Sequence, residues 1–313
     1  MKAIILNQIG GIENLQYVNT AIPVLADGEV LIKVAAIGIN PVDYKARTIE
    51  GTLSFLAGEQ RPVILGWDVA GTVTESRSAE FVMGDEVFGM VNFPGLGKAY
   101  AEYVAAPADQ LAVKPKNISH QEAAAATLAA LTAWQALVSA AGIKRGDKVL
   151  IHGASGGVGH YASQIARYFG AQVIGTSSAK NRAYVLANGA DIHIDYTSKD
   201  YEEEVQDVDI VLDTLGGSNI PRSIHVTKPG GKVISIVTLN LPEEYLKLAK
   251  AKEVDLSALL VKSSGKDMQA IARLLQDGSL RSHLSEIYLF EEMQKAHLQI
   301  ETGRTVGKVV VVI

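Results

Sequence analysis

The stretch KVLIHGASGGVG, residues 148–159, constrains the fold of this chain more than any other. A short apolar strand runs into a loop of small residues. VGHYASQIARYFG (158–170) then has helical spacing and stops at Gly170. A glycine loop alone says little. Here a second strand, AQVIGTS (171–177), follows the helix and completes a strand–helix–strand unit. In such a unit the first helical amides and the positive end of the helix dipole face an anion. The loop reads Ala154-Ser155-Gly156-Gly157-Val158-Gly159. Gly156 is expected to let the backbone approach a pyrophosphate, and Gly159 to let the helix pack closely on the sheet. Ser155, Gly157 and Val158 complete the cradle. Alanine at 154 stands where the first glycine of such loops makes the tight turn.

The end of the second strand selects the nucleotide. An NAD site places a carboxylate there to bond the ribose 2′-hydroxyl. This chain has Thr176-Ser177-Ser178-Ala179-Lys180-Asn181-Arg182, two serine hydroxyls and two cations with no acid. Ser177, Ser178 and Lys180 suit a 2′-phosphate, so NADPH is the expected cofactor. Lys180 and Arg182 also fit a solvated helix face.

A length of 313 residues suggests two domains. Up to about residue 117 the chain reads as strands and turns: GEVLIKVAAIGIN, DVAGTVTE, DEVFGMV and AYAEYVA (99–105). At SHQEAAAAT the character changes, with Ser119 and Glu122 spaced as a capping box. Strands and helices then alternate through DIHIDY, VDIVLDTLGG and GKVISIV (231–237), which predicts an α/β fold with a doubly wound parallel sheet. The tail carries a helix over 267–280, a second over 290–303 and a closing strand, GKVVVVI. The expected division is 1–117, 118–262 and a returning segment 263–313.

Charged residues make up 20% of the chain and the net charge is −5, with no basic run, so nucleic acid is not an expected partner. Cysteine is absent, which excludes disulfides, thiol nucleophiles and thiolate zinc sites and fits a reducing, cytoplasmic setting. The apolar run in MKAIILNQ is too short for a signal peptide. Ala123–Ile143 has no charge and is long enough to span a bilayer. Its alanine-rich content with interspersed Thr and Gln reads instead as buried helices, so no membrane partner is expected. The seven histidines show no ligand spacing, and no metal site is expected.

GINPVDYKAR (38–47), GWDVAGTV (66–73), GDEVFG (84–89), LAALTAWQAL (128–137), HGASGGVG (152–159), VLDTLGG (211–217) and GRTVGKVVV (303–311) occur in an order and spacing that are together specific. The chain resembles the medium-chain dehydrogenase/reductase superfamily, in its zinc-free quinone oxidoreductase and enone reductase branch, which includes zeta-crystallin. The resemblance implies a Rossmann-like doubly wound domain plus a GroES-like β-rich catalytic domain completed by the C-terminal tail. In zinc-dependent relatives a cysteine opens the segment matching Asn40-Pro41-Val42-Asp43, and Gly-His-Glu stands where this chain has Gly66-Trp67-Asp68. Without those ligands, alcohol oxidation loses its Lewis acid. What remains is NADPH-dependent hydride transfer to quinones or α,β-unsaturated carbonyls.

By resemblance, Lys45 lies where enone reductases have a lysine near the nicotinamide ribose. Tyr44 would donate to a carbonyl oxygen or pack at an interface. Asn40 would bond substrate or fix its loop, and Asp43 would brace the backbone. Thr127 would touch the carboxamide, Tyr196 would lie beside adenosine and Leu215 would pack near the cofactor, with Asp213 structural. VNFPGLGK (91–98) is a candidate pocket-edge loop. VDLSALLV (254–261) is the expected edge strand of a homodimer. The alternative function is an NADPH-binding protein with little turnover, in a crystallin-like or regulatory role.

Overall fold

The computed structural model describes residues 1–313 and divides into two compact units, Met1–Leu131 with Lys262–Ile313, and Thr132–Val261. The first is β-rich. A small sheet pairs β1 (Lys2–Leu6) with β2 (Leu15–Asn19) and β4 (Val63–Ile64). The large sheet is built on β3 (Glu29–Ile39), whose apolar run is long enough to serve several partners. One edge of β3 takes β5 (Asp68–Ser76). The other is shared by β7 (Tyr103–Pro107) and the C-terminal β16 (Lys308–Val312). Val310 opposes Gly38, so the tail completes this sheet. β6 (Glu86–Met90) and β8 (Leu111–Val113) extend the sheet beyond β5, and β15 (Leu284–Leu289) runs parallel to β16.

Helices α1 (Pro41–Thr48) and α2 (Glu50–Ala57) follow β3; α3 (His120–Ala125) and α4 (Leu128–Trp134) lead out of the unit. The capping box of Ser119 and Glu122 forms at the start of α3. α10 (Gly265–Gln276) and α11 (Met293–Glu301) belong to the returning tail. The first unit extends beyond the expected boundary at 117 because α3 packs on β3. An added Cβ at Gly38 would stand 2.5 Å from the Ala124 carbonyl, and Ser282 in the tail donates to the Glu122 carbonyl. The strand expected over 99–105 starts only at Tyr103. Tyr100 instead turns into the interior, where it is fully buried.

The second unit carries six parallel strands: β9 (Lys148–Ile151), β10 (Gln172–Ser177), β11 (Ile192–Asp195), β12 (Val208–Asp213), β13 (Thr227–Ser235) and β14 (Asp255–Ala258). Their order is β11-β10-β9-β12-β13-β14, so the chain winds outward in one direction from β9 and then in the other from β12. The helices are α5 (Gly157–Tyr168), α6 (Arg182–Ala187), α7 (Tyr201–Glu204), α8 (Asn219–Val226) and α9 (Glu243–Ala251). Leu150, Ile174, Val211, Ile224 and Val233 lie in one buried cluster of this unit. β14 is the last strand, as the sequence pattern of 254–261 suggests. No helix is long and apolar enough to cross a membrane.

Candidate active site

The carboxyl ends of β9 and β12 meet where the winding reverses, the place where open parallel sheets take ligands. After β9 the backbone turns at Gly153, which adopts φ +61, a left-handed value suited to glycine. Ala154 is buried and its amide donates to the Thr176 carbonyl at 2.9 Å. The tight turn expected at Ala154 is therefore made one residue earlier, and the true spacing is Gly153-x-x-Gly156-x-x-Gly159. An added Cβ at Gly159 would stand 2.2 Å from the Gly153 carbonyl, so the helix approach requires glycine there. Gly156 caps α5, and no side chain caps the helix. The first amides of α5 accordingly lack a partner within the helix. Ser155, Gly156, Gly157 and Val158 are all partly exposed. An added Cβ at Gly156 would meet only the Gly153 carbonyl, at 3.2 Å, so the space above that residue is open. This is a cradle that a side chain would fill, and it fits a dinucleotide pyrophosphate.

At the end of β10, Ser177 is buried. Its hydroxyl lies 2.8 Å from His193 Nε2 and donates to the Ser178 carbonyl. That turns Ser177 inward, against the expectation that it would face the cofactor. Ser178 is half-buried, while Lys180 and Arg182 are exposed and make no ion pair. A carboxylate from the neighbouring strand, Asp195, stands opposite Ser177 in the strand register. It accepts from the Thr197 amide, from the Thr197 hydroxyl at 2.7 Å and from the Ser198 hydroxyl at 2.9 Å. Those bonds hold its pKa below the usual carboxylate range and commit it to its own turn. Tyr196, the next residue, is 59% exposed.

Beyond β12, Asp213 is buried and accepts from the Leu215 and Gly216 amides, Asn219 Nδ2 and the Ser235 hydroxyl. Asp213 thus braces the loop and leaves Leu215 projecting, 58% exposed. His152, between Thr176 and Ser223, is buried against Tyr201.

In the β-rich unit, α1 carries the catalytic candidates. Pro41 opens the helix, and the Asn40 amide donates to Asp43 Oδ2 at 2.8 Å while the Asp43 amide donates to the Asn40 carbonyl, so Asp43 does brace the backbone. Tyr44 and Lys45 are half-buried, and neither the hydroxyl nor the ammonium bonds to protein. Of the two roles expected for Asn40, bonding substrate or fixing its loop, the contacts match the second. It is 1% exposed, its Nδ2 donates to Asp68 Oδ2 at 2.7 Å and its Oδ1 accepts from Lys308 Nζ. Both ends of the amide serve the interior. Thr127 is also fully buried; its hydroxyl donates to the Ala124 carbonyl and stands beside Asp68. Trp67 is buried, with its indole donating to the Gly95 carbonyl and its ring edge-on to Phe93. The loop 91–98 is tied down by that bond and by Phe93 to Ser263.

Four residues outside the expected set complete this interior. Arg47 Nε donates to His297 Nδ1 at 3.3 Å, Tyr100 lies between His297 Nε2 and Asp43 Oδ1, and Lys308 faces Asp68 at 3.8 Å. Arg47 and Lys308 sit in motifs read only for their resemblance. Lysine inside the apolar run VGKVVVV was the one local signal.

Burial lowers the pKa of His152 to about 4 and that of His297 to about 3, so both are neutral at pH 7. A depressed folded pKa gives stability that is full above the unfolded value near 6.5 and is lost as pH falls. Asp43, raised to about 7 by burial, works in the opposite sense between its two pKa values. Burial raises Asp68 in the same sense as Asp43, while it lowers His120 and His193 as it does His152 and His297. With four histidines against two carboxylates, the melting temperature is expected to fall as pH drops from 6.5 to 4. Calorimetry across that range checks this; a flat or rising profile would contradict it.

A glycine cradle at the switch point of a parallel sheet, with a β-rich companion unit in the same chain, defines a nucleotide-dependent dehydrogenase or reductase. Residues 26–116 match the family described as alcohol dehydrogenase GroES-like domain, and residues 188–311 match zinc-binding dehydrogenase. The quinone oxidoreductase of Sus scrofa is 32% identical over 100% of this chain and 98% of its own. The 2-methylene-furan-3-one reductase of Solanum lycopersicum is 32% identical, over 99% of this chain and 79% of its own. The solved quinone oxidoreductase from Coxiella burnetii superposes with a TM-score of 0.92 at 35% identity, covering 100% of this chain and 99% of that one. The chain belongs to the medium-chain dehydrogenase/reductase family. The zinc implied by the second family description does not fit the residues present. The chain has no cysteine, no three His, Asp or Glu side chains gather, and Asn40, Trp67 and Asp68 occupy the relevant positions.

Proposed function

We propose that this chain is a metal-independent, NADPH-dependent reductase of quinones or α,β-unsaturated carbonyls. The observation that carries the reading is the open cradle of Ser155–Val158, with α5 amides that no side chain caps. When bound there, NADPH supplies a hydride. The amides of Gly157 and Val158 would hold its pyrophosphate. Ser178, Lys180 and Arg182 would face the 2′-phosphate, a role supported by the absence of ion pairs on both cations and by the commitment of Asp195 elsewhere. Tyr196 and Leu215, both well exposed, would flank the adenosine and nicotinamide ends. The Lys45 ammonium would stabilise negative charge developing on the substrate oxygen, and Tyr44 would donate to that oxygen. The names of the relatives support this substrate class over a binding role without turnover. A homodimer through β14 and a cytoplasmic setting are part of the same reading.

The test follows NADPH consumption with a small quinone and a short 2-enone in parallel, with EDTA present. Turnover of at least one acceptor is expected. Lys45→Ala should lower kcat roughly 10- to 100-fold with NADPH affinity within threefold. A flat trace with both acceptors, with NADPH binding verified, would replace the reductase by a binding protein. Replacing Lys180 and Arg182 together by alanine should weaken NADPH about tenfold and leave NADH unchanged, as loss of a charge-assisted contact requires.

A further inference from the structure

The interior of the β-rich unit contains a hydrogen-bond chain whose direction is fixed at both ends. Arg47 Nε carries a hydrogen and donates to His297 Nδ1, so that nitrogen is bare. His297 is neutral, so its proton is on Nε2 and points to the Tyr100 hydroxyl at 2.9 Å. Tyr100 in turn donates to Asp43 Oδ1 at 2.7 Å, and the Asn40 amide donates to Asp43 Oδ2 at 2.8 Å. Arginine cannot accept a hydrogen bond, so the chain cannot reverse. With Asp43 ionised, both of its oxygens accept, one from each donor.

Asp43 and Arg47 are four residues apart and lie on one face of α1, whereas Tyr44 and Lys45 are rotated about 100° and 200° from Asp43. Holding both ends of the buried face fixes the rotation of α1 about its axis. We propose that Tyr100 and His297 are positioning residues that, through ionised Asp43 and through Arg47, set the orientation of Tyr44 and Lys45 for reduction. The inference rests on the roles given to Tyr44 and Lys45 above. The groups facing Asp43 are Tyr100, the Asn40 amide, Asp68 on β5 and Lys308 on β16, with Arg47 and His297 behind Tyr100. Burial lifts the Asp43 pKa to about 7, Asp68 adds to the rise, and Tyr100, Asn40 and Lys308 oppose it. Protonation of Asp43 turns one of its two oxygens into a donor that faces Tyr100 or the Asn40 amide, so one of the two bonds is lost.

The test is the pH profile of kcat with NADPH and a small quinone. Wild type should lose activity on the acid side of about pH 7. Tyr100→Phe keeps the ring against Gly66 but removes a bond that stabilises the carboxylate, so the acid limb should move to higher pH. At pH 7 kcat should fall roughly tenfold, with partial recovery at pH 9 and KM for NADPH unchanged. His297→Gln, which retains one donor and one acceptor, should restore more activity than His297→Leu. Asp43→Asn should flatten the limb at a reduced rate, and thermal unfolding of each variant reports whether it folds. A Tyr100→Phe rate lowered by one factor at every pH, or an acid limb that survives in Asp43→Asn, would overturn the proposal. If Lys45→Ala leaves kcat untouched, the catalytic reading itself fails, whatever the pH profiles show.

Discussion

Gly156→Val is expected to fold normally and to bind NADPH at least 100-fold more weakly than wild type. Gly156 has φ −82 and ψ −176, an extended conformation that valine adopts readily. The only atom within 4 Å of an added Cβ is the Gly153 carbonyl oxygen, at 3.2 Å, which needs a shift of a few tenths of an ångström. The melting temperature should therefore change by no more than about 3 °C, in line with substitutions away from the core. The ligand meets a different situation. Two valine methyls above the start of α5 would keep an anion from the Gly157 and Val158 amides. Each charge-assisted bond of that kind contributes about 1.5–3 kcal/mol. Losing two corresponds to about 3–6 kcal/mol, or at least 100-fold in Kd. Gly159→Val is the control with the opposite signature. Its Cβ would stand 2.2 Å from the Gly153 carbonyl and 2.7 Å from Ala154 Cα, so the nucleotide unit should lose stability before any ligand is added. Fluorescence titration with NADPH, paired with thermal unfolding, separates the two. Wild-type affinity in a folded Gly156→Val would remove the pyrophosphate from this loop.

These glycines also mark what the sequence made legible. The strand–loop–helix unit, the parallel alternation and the Ser119–Glu122 cap depend on neighbours within a few residues, and all appear where the pattern puts them. The tight turn was displaced by one residue because the regular glycine template has no place for Gly153, whose left-handed φ is visible only in three dimensions. Ser177, Asn40 and Thr127 sit in motifs that suit a ligand, and each has its hydroxyl or amide bonded inside the protein. The groups that capture them, His193, Asp68, Lys308 and the Ala124 carbonyl, are reached by strand pairing or by packing. Tyr100 and His297 are 197 residues apart in sequence, a distance that no periodicity spans. Exposed residues such as Tyr196 and Leu215 were easier, because a residue just past a strand end is free to project.

The largest effect on stability is expected at Lys308. Its ammonium is buried on β16, donating to the Ile39 carbonyl at 2.9 Å and to Asn40 Oδ1, and lies 3.8 Å from Asp68 Oδ2. Asp68 is fully buried and accepts from Asn40 Nδ2 and the Leu128 amide. Burial pushes each of the two groups toward its neutral form, and their mutual attraction opposes this. Lys308→Met keeps the length and volume of the side chain but leaves Asp68 without its cation. Breaking a buried pair from one side costs about 3–5 kcal/mol, because the remaining charge is uncompensated. For a unit of this size that lowers the melting temperature by roughly 10 °C. Asp68→Asn on top of Lys308→Met removes the stranded charge while retaining polar contacts, and should recover about 2 kcal/mol. Denaturant unfolding of the wild type, the two single variants and the double variant gives the coupling directly. Equal stability of Lys308→Met and wild type would mean that Asp68 is neutral and the pair holds nothing. A strong coupling would mean that a fixed ammonium supplies the positive charge between Asn40 and Asp68, positions where zinc-dependent relatives of this family carry their Cys and Gly-His-Glu motifs. It would also mean that the segment leading into α1 depends on that charge for its shape.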